Sequence, residues 1–171
     1  WNVITIKYGR KLHDAFAKPG GKSLKKWLND VPNDIYSALT FQGGAAWRKQ
    51  ITSDMEGDNA LASLLGDYDD DQLHDLMTNL GGHCMEAVLS AFESVPNDKP
   101  TVFVAYTVKG YGTPLQGHKD NHAGLMNVPQ MDAFKLQNKV ADGEEWDIAA
   151  GLDISADALR DYIASAPFNL S

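Results

Sequence analysis

Residues 101–122 read TVFVAYTVKGYGTPLQGHKDNH, and this stretch is the strongest indication of fold class in the chain. Its first eight residues form a β-branched and aromatic run after Pro100, which predicts a strand over residues 101–108. Because the run lacks a regular apolar and polar alternation, it is typical of a strand buried on both faces of a parallel sheet. The turn that follows, rich in glycine, lysine and histidine, comes at the carboxyl end of the strand, where open α/β sheets bind ligands. The sequence therefore places any chemistry after residue 108.

On the N-terminal side of this stretch, the chain shows one other strand pattern and many helical ones. Residues 3–7 predict a short strand near the N-terminus. The last helix before Pro100 is expected to turn Met85, Val88, Leu89 and Phe92 inward. Two strands joined by a long helical excursion form a βαβ-type crossover, so the predicted fold class is α/β, helix-rich, with parallel strands flanked by helices. Helices are predicted from residue 10, over 23–29, from 33, and over 45–51, 59–65, 70–77 and 83–95.

Two strands alone make an incomplete sheet. A parallel strand buried on both faces needs neighbours on both sides, and residues 101–108 would otherwise expose an unpaired apolar edge. We therefore expect further chain segments to complete the sheet, and we expect this chain to be a fragment.

Composition limits the classes of function. The chain has 171 residues, 43% of them hydrophobic, which is enough for one domain with one core. The net charge of −8, without a basic stripe, argues against a nucleic-acid partner and against an anionic membrane surface. A single cysteine excludes an internal disulfide framework. No apolar run reaches membrane-spanning length and no signal peptide opens the sequence, so the expected location is the cytoplasm.

Lys109 is the first candidate binding residue. It follows the apolar strand and precedes Gly110, with Gly112 two positions further on. A lysine at a strand end can meet a phosphate, while glycines let the backbone approach closely. The simpler interpretation is a solvated lysine, and the residues alone favour that interpretation.

Two histidines, His118 and His122, lie four residues apart between Gly117 and Gly124. On a helix this spacing would indicate a metal pair, but the preceding glycines and proline predict a loop and no acidic partner follows, so no metal site is predicted here. A loop histidine can exchange protons near neutral pH and can help to exclude water over a substrate. A histidine of this loop is therefore a candidate for catalysis.

The other histidines and the tryptophans have structural interpretations. His83, which follows two glycines, is expected to cap a helix, and His74 is expected on a helical surface. Three tryptophans fall in patterns that predict core or interface positions: Trp27, Trp47 and Trp146.

Several of these segments resemble the homodimeric pyruvate dehydrogenase decarboxylating component and its 2-oxo-acid dehydrogenase relatives, which are transketolase-like thiamine diphosphate enzymes. The resemblance covers nearly the whole chain but only part of such an enzyme. It is strongest around the strand end, in residues 107–112 (TVKGYG) and 116–122 (QGHKDNH), and continues in residues 1–4 (WNVI), 44–48 (GAAWR) and 81–83 (GGH).

This resemblance implies roles for individual residues. Lys109 corresponds to a lysine that reaches the cofactor diphosphate, where transketolases usually carry an apolar residue. Gly110 and Gly112 belong to the same cofactor-binding turn, and His118 is assigned to cofactor contacts although the family usually has another residue there. His122 corresponds to the histidine of a loop that orders over the cofactor, with a role in substrate handling or acyl transfer.

The resemblance also implies what lies elsewhere. In the family, a G-D-G motif and a later asparagine motif anchor the magnesium ion of thiamine diphosphate, and no G-D-G occurs here. Residues 1–171 would then be the C-terminal half of the thiamine diphosphate-binding domain, with the earlier half, the metal ligands and the later domains absent. Gly57-Asp58 and Gly66-Asp67 are interpreted as turns or helix caps.

The implied activity is oxidative decarboxylation of a 2-oxo acid by a homodimer, which passes the acyl group to lipoamide on an acyltransferase partner. The T-P-L variant at residues 113–115 is closer to a 2-oxobutyrate type than to a typical pyruvate enzyme, so the substrate stays open between the two. Isolated, the chain should be inactive. Three alternatives remain: a transketolase that transfers two-carbon ketol units, a non-catalytic regulatory or assembly module, and a helical interaction protein with no ligand site, which the specific loop disfavours.

Overall fold

Two short strands lie at opposite ends of a long helical segment and pair with each other. In the computed structural model, which describes residues 1–166, β1 (Asn2–Ile6) and β2 (Thr101–Ala105) are parallel, in a register that runs from Asn2 opposite Thr101 to Ile6 opposite Ala105. The last five residues of the predicted domain lie outside this description. The α/β class, with parallel strands and a high helix content, is confirmed.

The described residues divide into two compact units, one from Trp1 to Gly124 and one that begins at Leu125. Each predicted helix of the first unit is present, within a few residues of its predicted bounds. These helices are α1 (Arg10–Ala17), α2 (Gly21–Asp30), α3 (Asn33–Gln42), α4 (Gly44–Asp54), α5 (Asn59–Gly66), α6 (Asp70–Met77) and, after a 3₁₀ turn at Gly81–His83, α7 (Met85–Glu93).

The core of the first unit is built by the helices between the strands. Helix α6 has the predicted bounds, and a capping box of Asp69 and Gln72 fixes its start. Asp58 caps α5 by accepting from Leu61 N, as its interpretation as a cap predicted. Fully or nearly fully buried side chains from α1, α2, α4 and α6 meet in this core, among them Leu12, Leu24, Trp47, Ile51, Leu73, Leu76 and Met77.

Strand β2 is shorter and more exposed than predicted. It ends at Ala105 instead of residue 108, and Val102 and Val104 are exposed. The predicted burial on both faces is therefore wrong for this structure. The physical reason is that Phe103 contacts Phe92 on one face of the strand, whereas Val102 and Val104 lie on the opposite face, which is exposed, and that among the described residues β2 pairs only with β1. An unpaired apolar edge is what the sequence predicted for two strands without further neighbours.

Helix α7 also departs from its prediction. It begins at Met85 rather than residue 83, and Leu89 and Phe92 are each 58% exposed instead of facing inward. Ala91 is its buried residue, and Phe92 stacks on Phe103 of β2 with ring centroids 4.3 Å apart. A sheet of two strands is too narrow to cover the whole apolar stripe of the helix.

The second unit contains α8 (Val128–Gln137) and α9 (Ala156–Ala164). A capping box of Asn127 and Gln130 begins α8, and the Ser155 side chain begins α9. Lys135 pairs with Asp142 and Glu145. Trp146 lies in a turn and is 97% exposed, so a core position is wrong for it and an interface position stays a prediction, whereas Trp27 and Trp47 are buried as predicted. Within residues 1–166, no helix combines the length and the apolar character that crossing a bilayer requires.

Candidate functional site

A cavity of about 530 Å³ lies at the carboxyl ends of both strands. Lys7 and Tyr8 follow β1, and Lys109 follows β2, so the two strand ends line the same space. The end of α2 contributes Leu28 and Asn29, the start of α3 contributes Tyr36 and Ser37, and the loop after β2 contributes Gly117, His118, Lys119 and Asn121. This is the crevice that the strand-end argument predicted.

The charged side chains that line the cavity are all basic. Lys7, Lys109 and Lys119 line it together with His118, and none of the lining residues is an Asp or a Glu. Lys119 has a carboxylate nearby, since its Nζ lies 3.4 Å from Asp120 Oδ2 outside the lining. In a chain with a net charge of −8, such a cluster focuses a locally positive potential. The cavity therefore suits an anion.

Uncharged groups complete the cavity wall. The hydroxyl of Tyr36 donates to the carbonyl oxygen of Met77 at 2.8 Å. Burial raises the pKa of Tyr36 far above its ordinary value, so the phenol stays neutral. Leu28 and Val31 add apolar surface, which lowers the local dielectric and strengthens any charge pair formed inside.

A glycine turn carries Lys109 out of β2. Gly110 (φ 72°) and Gly112 (φ 79°) both have left-handed backbone conformations that glycine adopts readily. Tyr111 N donates to Val108 O, and Thr113 N donates to Gly110 O, which close two successive tight turns. Neither glycine lines the cavity. Their contribution in this structure is to shape the turn.

The loop returns to its own start and holds Lys109 in place. The carbonyl oxygen of Lys109 accepts from Gly117 N at 3.2 Å and from Asn121 Nδ2 at 2.9 Å. Gly117 lies directly against α3, where an added Cβ would be 2.6 Å from Ser37 O. These contacts fix the backbone from which the Lys109 side chain extends.

The two loop histidines have different surroundings. His118 is half-buried, lines the cavity, packs its ring 4.5 Å from that of Phe41, and accepts from Asp120 N through Nδ1 at 3.1 Å. His122 is exposed and is not a lining residue. The structure thus brings Lys109 and His118 to one cavity and leaves His122 outside it. The roles assigned to the three residues stay predictions.

His83 has a role that the sequence did not predict. Its Nε2 accepts from Val108 N at 2.7 Å, and its ring stacks on Tyr111 at 3.7 Å between centroids, 10° from parallel. Burial lowers the pKa of His83, which favours the neutral ring that can accept this bond. The predicted helix cap is wrong, because α7 is capped at Cys84 without a side-chain bond.

The glycine pair before His83 explains how the imidazole comes so close. A Cβ on Gly81 would lie 2.4 Å from Ile6 O, and one on Gly82 would lie 2.5 Å from Thr107 Cγ2. Only glycine fits between the two strand ends at these positions. The G-G-H sequence was the signal for this contact, but the partner of the histidine lies 25 residues away.

His74 also contacts the loop. It was expected to be a surface residue, but it is half-buried on α6 and its Nε2 lies 2.9 Å from Gln116 Nε2. Burial is the main reason that the pKa of His74 is lowered, with Asp75 and Asp71 acting in the opposite direction. Gln116 Oε1 in turn accepts from Gly112 N at 3.1 Å. A core helix thereby supports the glycine turn.

Lys7, Tyr8 and Asn29 form a second polar group in the cavity. Asn29 Oδ1 accepts from Tyr8 Oη at 2.7 Å and from Lys7 Nζ. The sequence contained a signal for Lys7, since it is the lysine at the carboxyl end of the strand predicted over residues 3–7, much as Lys109 comes at the end of the strand predicted over residues 101–108. Over residues 1–166 there is no cluster of three or more histidine, cysteine or acidic side chains that could hold a metal ion.

Together, the fold and the site define a class: an α/β structure with an anion-accepting crevice at the ends of parallel strands. The sequence is also similar to those of three curated proteins, each a pyruvate dehydrogenase E1 component. The chain is 28% identical to that of Cupriavidus necator over 137 residues, 27% to that of Escherichia coli K12 over 137 residues, and 31% to that of Pseudomonas aeruginosa over 139 residues.

These matches cover 79–80% of this chain but 15% of each relative. The resemblance to the pyruvate dehydrogenase decarboxylating component is thereby confirmed, and the chain is a relative of one segment of that protein. No protein-family model matches the chain, and no solved structure matches it either.

Proposed function

We propose that this chain acts as part of a thiamine diphosphate-dependent 2-oxo-acid dehydrogenase, with pyruvate or 2-oxobutyrate as substrate. The observation that carries the proposal is the cavity at the strand ends, with lysines from both strands and no carboxylate. Similarity to pyruvate dehydrogenase E1 components supports it. The residues present fit a diphosphate, because lysines within neutral walls favour a buried phosphate group.

In this proposal each residue has a defined task. Lys109, held by the bonds to its carbonyl oxygen, donates to the diphosphate, and Gly110 and Gly112 allow the turn beside it. His118 contributes an imidazole to the same anion. His122, on the exposed part of the loop, handles protons of the substrate or of the acyl group once the loop orders over the site.

Other parts of the proposed enzyme lie outside this chain. When bound, thiamine diphosphate supplies the carbanion chemistry by which a 2-oxo acid loses carbon dioxide. The magnesium ligands, the earlier half of the cofactor domain and the second subunit of a homodimer would come from further segments. A lipoyl-bearing acyltransferase would take the acyl group, and the enzyme would work in the cytoplasm. The chain alone would then be inactive.

The first experiment is intact mass spectrometry of the expressed product, combined with calorimetric binding of thiamine diphosphate and magnesium to each species found. A longer product that binds the cofactor, together with a 171-residue species that does not bind it, supports the proposal. A product of 171 residues that is indifferent to the cofactor favours the non-catalytic module instead.

The role of Lys109 is tested in the whole enzyme. Lys109→Ala should weaken thiamine diphosphate affinity about tenfold or more, because a charge-assisted hydrogen bond to phosphate is lost. Lys49→Ala, a lysine exposed on α4 and away from the cavity, is the matched control and should bind normally. Unchanged affinity in Lys109→Ala would contradict the assignment.

The role of His122 is tested by separating turnover from binding. His122→Ala should lower kcat on the order of 10²-fold with little change in cofactor affinity, because positioned proton transfer is lost while diphosphate contacts remain. Wild-type kcat in the variant would remove His122 from the mechanism.

Product analysis of the whole enzyme, once with a 2-oxo acid and once with a ketose donor, separates the dehydrogenase from a transketolase.

A further inference from the structure

We propose that Lys7 is a second anion-binding residue of the strand-end cavity, and that Lys7 and Lys109 together bind a ligand with two linked phosphate groups. The inference rests on the proposed function for the location of the site and goes beyond it by assigning a residue from the other strand. It is carried by the surroundings of Lys7, which hold the ammonium group in place without neutralising it.

The charge of Lys7 has no carboxylate partner among the described residues. Within residues 1–166, five other lysines form ion pairs with carboxylates, and Lys7 forms none. Its Nζ donates to Asn29 Oδ1 and lies 5.2 Å from the ring centroid of Tyr8 and 5.4 Å from that of Tyr106. All three partners are uncharged. Burial is the main reason that the pKa of Tyr8 is raised, which keeps its phenol neutral as well.

These contacts prepare Lys7 for a ligand. An ammonium group has three donors, and Asn29 takes one of them. Because the side chain is already ordered by Asn29 and two tyrosine rings, binding requires little further loss of side-chain entropy. The oxygen of Asn29 accepts from both Lys7 and Tyr8, which leaves its amide nitrogen as an additional donor in the cavity lining.

The positions of the two lysines indicate the class of ligand. Lys7 follows β1 directly, and Lys109 is the fourth residue after the end of β2, the strand hydrogen-bonded to β1. Ile6 O accepts from Tyr106 N, so Lys7 is level with the first residue after β2. Both lysines line one cavity of about 530 Å³ that no carboxylate of the described residues lines. Two cations that line one cavity from the segments after two adjacent strands suit a diphosphate better than a single phosphate or a carboxylate.

The test uses the 171-residue chain and isothermal titration calorimetry with inorganic pyrophosphate. Wild type should bind, Lys7→Ala should raise Kd about tenfold, and Lys7→Arg should retain most of the affinity. Lys22→Ala, exposed on α2 outside the cavity, is the control and should match wild type. If circular dichroism shows that Lys7→Ala is unfolded, Lys7→Gln replaces it, since it keeps a donor for Asn29. Equal affinity of wild type and the Lys7 variant, or no pyrophosphate binding at all, overturns the inference.

Parallel titrations distinguish the source of the diphosphate and separate the two proposals. Two further ligands are titrated: thiamine diphosphate together with magnesium, and adenosine diphosphate by itself. The affinity for each is compared with the affinity for pyrophosphate. These titrations are repeated with the whole enzyme. Lys7-dependent binding of pyrophosphate and adenosine diphosphate by a whole enzyme that does not bind thiamine diphosphate supports the inference and overturns the proposed function. Thiamine diphosphate binding that Lys7→Ala leaves unchanged overturns the inference alone.

Discussion

At the scale of single residues, His83 connects the fold to the candidate site. It contacts the chain on both sides of Lys109, through the Val108 amide and through the Tyr111 ring. Val108 is buried in the core, so its N–H needs a partner, and the neutral imidazole provides one. His83 is thus a positioning residue for the turn that carries Lys109.

This contact makes the stability of the chain depend on pH. The folded pKa of His83 is lowered by burial, so below its unfolded pKa of about 6.5 the unfolded chain binds a proton that the folded chain resists. The free energy of unfolding should therefore be highest above about pH 7 and should fall between about pH 7 and pH 5. His74, whose pKa is also lowered, contributes in the same direction.

Urea denaturation at pH 7.5, 6.0 and 5.0 measures this dependence. His83→Gln can accept from Val108 N without titrating, so its unfolding free energy should fall less steeply with pH than that of wild type. His83→Phe keeps a ring for Tyr111 but loses the acceptor, and it should be less stable than wild type at pH 7.5. His122→Gln, at an exposed position, is the control. Identical pH profiles for His83→Gln and wild type would exclude this role.

At the scale of elements, the loop after β2 is held by α3 and α6 as well as by its own turns. Gly117 is the tightest point, since its φ is 70° and an added Cβ would lie 2.6 Å from Ser37 O and 2.9 Å from Thr40 Cβ. Gly112 has a similar φ of 79°, but a Cβ added there would have no neighbouring atom within 4 Å. Comparing the two glycines therefore separates the free-energy cost of backbone strain from the cost of a steric clash with α3.

Alanine substitutions at these two glycines test how firmly the loop is packed. Gly112→Ala should cost about 1 kcal/mol of unfolding free energy, the cost of a left-handed conformation with a Cβ. Gly117→Ala should cost about 2–4 kcal/mol, because the clash with α3 adds to the same strain. Thermal denaturation of both variants measures the difference. Equal losses would mean that the loop moves freely away from α3.

At the scale of the whole molecule, one set of exposed apolar side chains lies on or next to β1, β2 and α7. This exposed set consists of Trp1, Val3, Met85, Leu89, Phe92, Val102 and Val104. An unpaired strand edge and an uncovered helix stripe favour association with other chains or segments. The net charge of −8 opposes that association at low ionic strength.

Self-association of the isolated chain should therefore increase with concentration and with salt. Leu89→Lys should reduce it, while the unfolding free energy changes by only about 0.5 kcal/mol, as is usual for an exposed position. Leu125→Lys, at a residue that is 93% exposed and outside this set, is the matched control and should associate like wild type. Sedimentation velocity measures both variants. A monomer at all concentrations would contradict the expectation.

Local patterns were sufficient to predict much of the fold. Helix α6 has its predicted bounds and its predicted stripe of Leu73, Leu76 and Met77, because capping and helical periodicity act over a few residues. The inward face predicted for α7 was wrong, because burial depends on how wide a sheet is available to cover it. The cavity at the strand ends was predictable from strand direction alone.

The α/β class, the position of the crevice and the lysine that follows β2 could all be predicted before folding was considered, since each depends on residue types close together in the chain. That Lys7 and Asn29 share the crevice, and that His83 accepts from Val108, became known from the folded chain alone. These pairs are separated by 22 and 25 residues. Packing of distant segments sets which polar groups meet, and no local periodicity encodes it.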